Sequence, residues 1–231
     1  MARKSSVSYG NCGFCGGRFS KAAITRHLQS CRKRQDNSEM PPKTGKREAF
    51  HLVVEGRYAS AYWMHLEVPG QATLRALDQF LRDVWLECCG HLSEFTIEGR
   101  RYSDRGTDID DWLGMDSGGG SLDTKLKNVL APGQKFEHAY DFGSTTHLRL
   151  KVVAEGQSTL TRNEIKVLAR NEPPAIPCEE CGKPATQVCA LCIYSGEGWL
   201  CDECAARHDC DEPMFLPVVN SPRVGVCAYT G

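Results

Sequence analysis

The segment that decides how this chain is organised lies near its end: CEECGKPATQVCALCIYSGEGWLCDECAARHDC, from Cys178 to Cys210. It holds three Cys-x-x-Cys pairs, then a histidine and one further cysteine, which together make eight potential metal ligands. Zinc takes four tetrahedral thiolate or imidazole ligands, and one Cys-x-x-Cys turn supplies two of them at little cost in loop closure. The segment therefore predicts two zinc sites, and metal binding would supply most of its folding free energy.

The order of these pairs resembles the B-box zinc module, in which ligands interleave. The resemblance implies that the first and third pairs share one ion, while the second pair shares another with the last two ligands. The implied sets are Cys178, Cys181, Cys201 and Cys204 for one site, and Cys189, Cys192, His208 and Cys210 for the other. Sequential pairing also fits the spacing, and Cys227 could replace Cys210 as the last ligand. Closed shells of this kind leave no open coordination position, so the sites are expected to be structural.

A second ligand pattern lies near the N-terminus, in CGFCGGRFSKAAITRHLQSC. The spacing resembles a single zinc finger of the Cys-Cys-His-Cys variety, a knuckle followed by a helix that carries the last two ligands. The ligands are Cys12, Cys15, His27 and Cys31, and the small core would consist of Phe19, Ile24 and Leu28. With the two C-terminal sites, the sequence predicts about three zinc ions per chain.

Basic residues surround this finger. Of the residues near the start of its helix, only Arg26 has the reach for bidentate contact with guanine, so we expect phosphate contact without base reading. The predicted nucleic-acid contacts are Arg18, Lys21, Arg26, Arg32, Lys33 and Arg34.

Charge is distributed unevenly along the 231 residues, although the net charge is only -1. Residues 1–49 carry 11 Lys/Arg against 3 Asp/Glu, whereas residues 172–231 carry 3 against 9. Different partners are therefore expected at the two ends, nucleic acid at the basic end and a protein at the acidic end.

The composition is that of a soluble globular protein, and the expected location is the cytoplasm. No apolar window is long enough for a membrane span, and the N-terminus lacks the apolar core of a signal peptide, so no membrane contact is expected. In a reducing compartment, 13 cysteines in clustered pairs indicate metal ligands rather than disulfides.

Cysteine distribution and linker composition divide the chain into four parts. We expect a zinc finger at 1–34, a basic flexible linker at 35–48, a middle domain at 49–171 and a two-zinc module at 172–231. The middle domain begins with two alternating apolar runs that predict a hairpin, followed by a helix in QATLRALDQFLRDVWLECC with Thr73 as N-cap and Gly90 as its stop. Strands are predicted at EFTIEGRRY, KFEHAYDF and HLRLKVVAEG, and a helix at SLDTKLKNVL. The expected fold class is α+β with a largely antiparallel sheet.

The middle domain resembles the Ri-plasmid open-reading-frame family, whose members also occur as insertion-element passenger proteins under a resolvase-like name. The resemblance covers about residues 48–157 and is carried by His91-Leu92-x-x-Phe95 and Tyr140-Asp141-Phe142-Gly143. It implies an α+β fold, an association with mobile elements and no established reaction. In many relatives the second motif is followed by Asp-x-Trp-x-His. This chain has Ser144-Thr145-Thr146-His147 instead, so it keeps only the histidine position.

The function expected from the sequence is that of a non-enzymatic zinc-binding accessory or adaptor protein, without catalytic residues. A pure protein-interaction scaffold is the first alternative. A cryptic enzyme with a site at His91, Asp141 and His147 is the second, since a histidine with a carboxylate can act as a general base. Cys88 and Cys89, at the end of the apolar helix, are expected to be buried small hydrophobic residues.

Overall fold

The computed structural model describes residues 7–39, 47–104 and 119–231. Its N-terminal part forms a small hairpin followed by two helices: β1 (Tyr9–Cys12), β2 (Arg18–Ser20), α1 (Lys21–Ser30) and α2 (Arg32–Glu39). Helix α2 occupies the first part of the segment predicted to be a flexible linker, and 40–46 lies outside the described residues.

The middle of the chain contributes most of the remaining strands and one α-helix. These elements are β3 (Arg47–Gly56), β4 (Trp63–Pro69), α3 (Leu74–Leu81), β5 (Ser93–Ile97), β6 (Arg100–Ser103), β7 (Gly120–Ser121), β8 (Lys135–Tyr140), β9 (Thr146–Ser158) and β10 (Lys166–Asn171). Within the described ranges, ten strands form one sheet in the order β2-β1-β10-β4-β3-β9-β8-β5-β6-β7. Its pairings are antiparallel apart from β6 with β7. The predicted α+β class with a largely antiparallel sheet is confirmed.

The predicted apolar helix is present but shorter than expected. Thr73 caps it as predicted, and its side chain accepts from Ala76 N at 3.2 Å. The regular helix ends at Leu81, continues as a π-helical turn to Leu86, and reaches extended backbone at Glu87 rather than at Gly90. Its apolar face packs on the sheet, because Leu74, Leu77, Leu81 and Trp85 are all fully buried.

The prediction of a helix in SLDTKLKNVL is wrong. Those residues contain a 3-10 turn at Leu126–Asn128 instead. The spacing of the buried leucines mimics a helix, but the backbone is hydrogen-bonded elsewhere: Leu74 N donates to Thr124 O at 2.9 Å and Leu126 N donates to Ala72 O at 2.8 Å. Backbone groups used in this way cannot also form an internal helical ladder.

The N-terminal hairpin is part of the large sheet rather than a separate module. Strand β1 pairs with β10, and the buried finger residues Ile24 and Leu28 form one cluster with Trp63 and Leu168 of the middle domain. The contact requires glycine at position 10, since a Cβ there would lie 2.3 Å from Arg170 O and 2.6 Å from the Trp63 ring.

The C-terminal part contains short elements, and its last residues return to the middle domain. They are β11 (Gln187–Cys189), β12 (Trp199–Leu200), α4 (Asp202–Ala205) and β13 (Phe215–Pro217), whose strands form a small sheet in the order β12-β11-β13. Beyond β13, Ser221 Oγ donates to Trp85 O at 2.6 Å, and Val224 joins the main core. Among the helices of the described residues, none is long and apolar enough to cross a bilayer.

Candidate metal centres

The first predicted ligand set comes together at the junction of the hairpin with α1. The ligand atoms of Cys12, Cys15, His27 and Cys31 all lie within 4.8 Å of one another. The two cysteine sulfurs at 12 and 31 are 3.9 Å apart, and Cys15 Sγ is 3.3 Å from His27 Nε2. A tetrahedral zinc shell requires sulfur-sulfur edges of about 3.8 Å and sulfur-nitrogen edges of about 3.5 Å, so this spacing fits the ion.

The second set is formed by the first and third Cys-x-x-Cys pairs, Cys178, Cys181, Cys201 and Cys204, whose sulfurs lie within 4.8 Å of one another. The first pair lies on a knuckle in which Gly182, at φ +74°, donates its N–H to Cys178 O at 2.9 Å. The other pair begins α4, and Cys181 Sγ is 3.6 Å from Cys201 Sγ.

The third set joins the middle pair to the last two ligands, Cys189, Cys192, His208 and Cys210. Cys189 Sγ is 3.8 Å from Cys210 Sγ, and Cys192 Sγ is 3.4 Å from His208 Nε2. The structure therefore has the interleaved grouping rather than the sequential one, and it places Cys210, not Cys227, in this set.

Each C-terminal set contains one thiol whose pKa is lowered from the ordinary value of a cysteine. Burial, the largest single effect, would raise the pKa of Cys178. Hydrogen bonds from several backbone N–H groups, of which that of Cys201 has the largest effect, together outweigh it and lower the pKa to about 6. For Cys189, burial is again outweighed by backbone N–H groups, first that of Cys192, and the pKa is about 6. Burial and the neighbouring Cys189 raise the pKa of Cys192 to about 12. Crowded thiols of this kind ionise together only beside a cation, so the donor sets fit zinc.

Three of the six predicted nucleic-acid contacts are engaged within the protein. Arg18 pairs with Glu172 at 2.8 Å and lies over the Tyr9 ring, and Lys21 forms an ion pair with Glu55. Arg34 donates to Leu28 O at 3.0 Å and pairs with Glu67 at 3.4 Å.

The other three form what we call the basic surface, defined as Arg26, Arg32 and Lys33. All three residues are exposed on α1 and α2. Within the described ranges none of them has an ion-pair partner.

The residues considered for a catalytic site are only partly brought together. His91 Nδ1 is 3.7 Å from Asp141 Oδ1, whereas the His147 ring packs edge-on against Tyr58. The Asp141 carboxylate is bound by the buried Arg223, whose Nη2 donates to Oδ2 at 2.7 Å. This carboxylate is therefore committed to an internal ion pair.

The prediction that Cys88 and Cys89 are buried was wrong. Cys88 is half-buried and Cys89 is exposed, because both lie beyond the end of the π-helical turn. They form a further group with His91 and Cys227, here called the tail cluster, which sequence reasoning missed. The sequence contains a signal for it, because the three predicted zinc sites use ten of the 13 cysteines, and the other three are Cys227 and the two in the Cys-Cys-x-His run at 88–91.

Comparisons with known proteins give a family match and a partial likeness to a solved structure. No curated protein matches the chain. The crystal structure of a protein of unknown function, MM3350 from Methanosarcina mazei Go1, is similar over 61% of this chain and 78% of that chain, with 19% identity and a TM-score of 0.45. A sequence model described as "Plasmid pRiA4b ORF-3-like protein" matches residues 51–192, further towards the C-terminus than the resemblance seen in the sequence. Because that match covers more than half of the residues, the chain belongs to the plasmid pRiA4b ORF-3-like family.

Proposed function

We propose that this protein is a non-enzymatic zinc-binding accessory protein that contacts nucleic acid through its finger and a second protein through its C-terminal module. The basic surface carries the first half of the proposal. Its three side chains are exposed on the helices of the finger and have no ion-pair partner among the described residues, whereas Arg18, Lys21 and Arg34 are paired within the protein.

Contact through this surface would be electrostatic and independent of base sequence. Lysine and arginine side chains bind phosphates by releasing condensed counterions, which makes affinity fall steeply with salt. The finger is anchored to the large sheet through β1, so the basic surface is presented on a rigid support rather than on a mobile arm.

The C-terminal module supports the second half of the proposal. Acidic side chains are exposed throughout it, at Glu179, Glu180, Glu197, Asp202, Glu203, Asp209, Asp211 and Glu212. Three large apolar side chains are exposed in the same module, with Tyr194 at 66%, Met214 at 50% and Leu191 at 46%. Exposed acidic side chains repel phosphates, and together with exposed apolar side chains they suit a protein partner with a basic surface.

A structural role for the metal follows from the donor sets. Four protein ligands complete each shell and leave no position for water or substrate. The carboxylate of Asp141, which faces His91, is held in an ion pair with Arg223, and this pairing opposes its use as a catalytic base. Cysteines in ligand groups rather than disulfides suit a reducing compartment, so the proposal includes a cytoplasmic location. An association with mobile elements is proposed on the family resemblance alone.

The test is binding of mixed-sequence duplex and single-stranded DNA to the zinc-loaded full chain across a range of salt concentrations. Replacing Arg26, Arg32 and Lys33 together by alanine should weaken duplex binding and reduce the slope of log K against log salt by roughly 3.

A matched control removes three exposed basic residues of the middle domain, Arg101, Lys127 and Arg162. It changes the net charge equally and should leave most of the slope unchanged. Equal losses in both triple variants would indicate general charge rather than a site. Absence of binding even at low salt would overturn the nucleic-acid contact and favour a pure protein scaffold.

A further inference from the structure

We infer that the tail cluster is a fourth metal site, a Cys3His zinc centre that fastens the end of the chain to the middle domain. Its ligands are Cys88, Cys89, His91 and Cys227, and their ligand atoms all lie within 4.8 Å of one another. The site is independent of the proposed contacts with nucleic acid and protein.

The spacing within the tail cluster is that of a coordination shell. Cys89 Sγ is 3.6 Å from Cys227 Sγ, and Cys227 Sγ is 3.6 Å from His91 Nε2. These distances match the edges of a tetrahedral zinc shell, about 3.8 Å between sulfurs and about 3.5 Å between sulfur and nitrogen. A disulfide would require the sulfurs to be about 2.05 Å apart.

The loop that carries three of the ligands is held in place by its neighbours. Tyr140 Oη accepts from Cys88 N at 3.4 Å and from His91 N at 3.3 Å, and it donates to Glu87 Oε1 at 3.0 Å. Gly90, at φ +73°, turns the chain between the cysteines and the histidine. The loop is therefore preorganised to present its ligands in one direction.

The fourth ligand is held in an unfavourable backbone conformation. Cys227 has φ +55°, a left-handed geometry that costs free energy for any residue with a Cβ. That conformation directs its sulfur to the loop, and a metal bond would offset the strain. Residues 89 and 227 are 138 positions apart, so the site would join the chain end to the middle of the protein.

Groups behind the ligands complete the arrangement expected for a metal centre. His91 turns Nε2 to Cys227, while its Nδ1 faces Asp141 Oδ1 at 3.7 Å, which is longer than the hydrogen bond of carboxylate-histidine-zinc arrangements but places a carboxylate on the side of the ring away from the ligands. Arg223 Nη2 lies 3.3 Å from Cys88 Sγ. Three thiolates around Zn²⁺ leave one net negative charge. This buried guanidinium, whose own charge is paired with Asp141, is also placed to donate a hydrogen bond to the Cys88 thiolate.

The tail cluster differs from the other three sets in exposure. Each of the other sets contains at least one buried cysteine, whereas none of these four residues is buried and Cys89 is exposed. A chelator therefore reaches this ion first, and we expect it to be the most readily exchanged of the four.

The decisive measurement is the zinc content of the purified full chain, prepared under reducing conditions with excess zinc removed. We expect four ions per chain, as there are four ligand sets, and one fewer in each of Cys89→Ser, Cys227→Ser and His91→Ala. His147→Ala is the matched control, because that histidine lies outside every set, and it should keep the wild-type content.

Chelator competition supplies a second readout. The wild type should release one equivalent rapidly, and this phase should be missing in Cys89→Ser. Variants with the same zinc content as the wild type would overturn the site. So would a Cys89–Cys227 disulfide, detected as a mass two hydrogens lower in protein purified under the same reducing conditions than in the protein after full reduction. Neither result depends on DNA binding, so failure here and failure of the proposed function are distinguishable.

Discussion

Arg223 donates through Nη2 to the Asp141 carboxylate at 2.7 Å, and the arginine side chain is fully buried. The same guanidinium donates through Nη1 to Thr146 Oγ1 at 3.0 Å and to Ser144 O at 3.1 Å. A residue close to the end of the chain thus fixes the turn between β8 and β9, where Asp141 itself adopts φ +65°.

Asp141→Ala should destabilise the protein strongly, because it leaves the buried charge of Arg223 without its partner. Breaking a buried ion pair by removing one member costs about 3–5 kcal/mol. The free energy of unfolding, measured in urea with zinc present, should fall by this amount. Glu172→Ala breaks the exposed pair with Arg18 and should cost about 1 kcal/mol or less. Similar losses in the two variants would contradict the importance of the buried pair.

Gly10→Ala should loosen the junction between the finger and the large sheet. A Cβ at this position would lie 2.3 Å from the Arg170 carbonyl oxygen, and backbone atoms in a paired strand cannot move aside cheaply. Overpacking of this kind costs about 1–3 kcal/mol. Hydrogen exchange of β1 and β10 amides should accelerate, while that of β3 and β9 amides should change little.

Gly156→Ala provides the control for that variant. It lies in β9, and no atom comes within 4 Å of a Cβ built there. We expect its exchange rates and stability to remain close to those of the wild type. Unchanged exchange in Gly10→Ala would show that the strand contact tolerates a side chain.

A pair of buried histidines should make stability depend on pH. Burial is the main cause that lowers the pKa of His51 to about 3 and that of His65 to about 4. A hydrogen bond of 2.9 Å joins His51 Nε2 and His65 Nδ1. Above about pH 6.5 both are neutral in the folded and the unfolded chain. Below that value the two histidines bind protons in the unfolded chain but stay neutral in the folded protein. The free energy of unfolding therefore falls as the pH decreases towards about 4.

Unfolding in urea between pH 7.5 and pH 6, with zinc in excess, measures this dependence. Each histidine contributes a slope of up to about 1.4 kcal/mol per pH unit below its ordinary pKa. Replacing both by leucine should flatten the profile. Val54→Ala, in the same strand, should lower stability equally at every pH. An unchanged slope in the histidine variant would assign the pH dependence to other groups.

Much of the fold was predictable because its signals are local. Apolar alternation identified β3 and β4, and the spacing of Leu74, Leu77 and Leu81 identified the helix. Ligand pairs separated by two residues are also local, so the three predicted metal sets could be found by counting along the chain.

The remaining features depend on contacts between distant parts of the chain. The leucine spacing around Leu126 is helical, but the backbone there bonds to residues 70–75. The tail cluster joins adjacent cysteines of the middle domain to Cys227, and no spacing rule connects positions 138 residues apart. The pairing of β1 with β10 is likewise invisible in the sequence of the finger, which reads as a separate module.

Metal removal should affect the two ends of the protein differently. In the C-terminal module, the satellite core consists of Cys178, Leu200, Cys201, Cys204 and Ala205, so three of its five buried residues are ligands. Losing a structural zinc site removes about 10 kcal/mol or more of apparent binding free energy, and strands of two or three residues cannot replace it. A strong chelator under reducing conditions should therefore abolish hydrogen-exchange protection in this module.

At the N-terminus, β1 should keep part of its protection, because β10 still pairs with it and Trp63 and Ile24 still belong to one apolar cluster. Zinc addition should restore both ends, and full protection of the C-terminal module without metal would contradict its dependence on the ion.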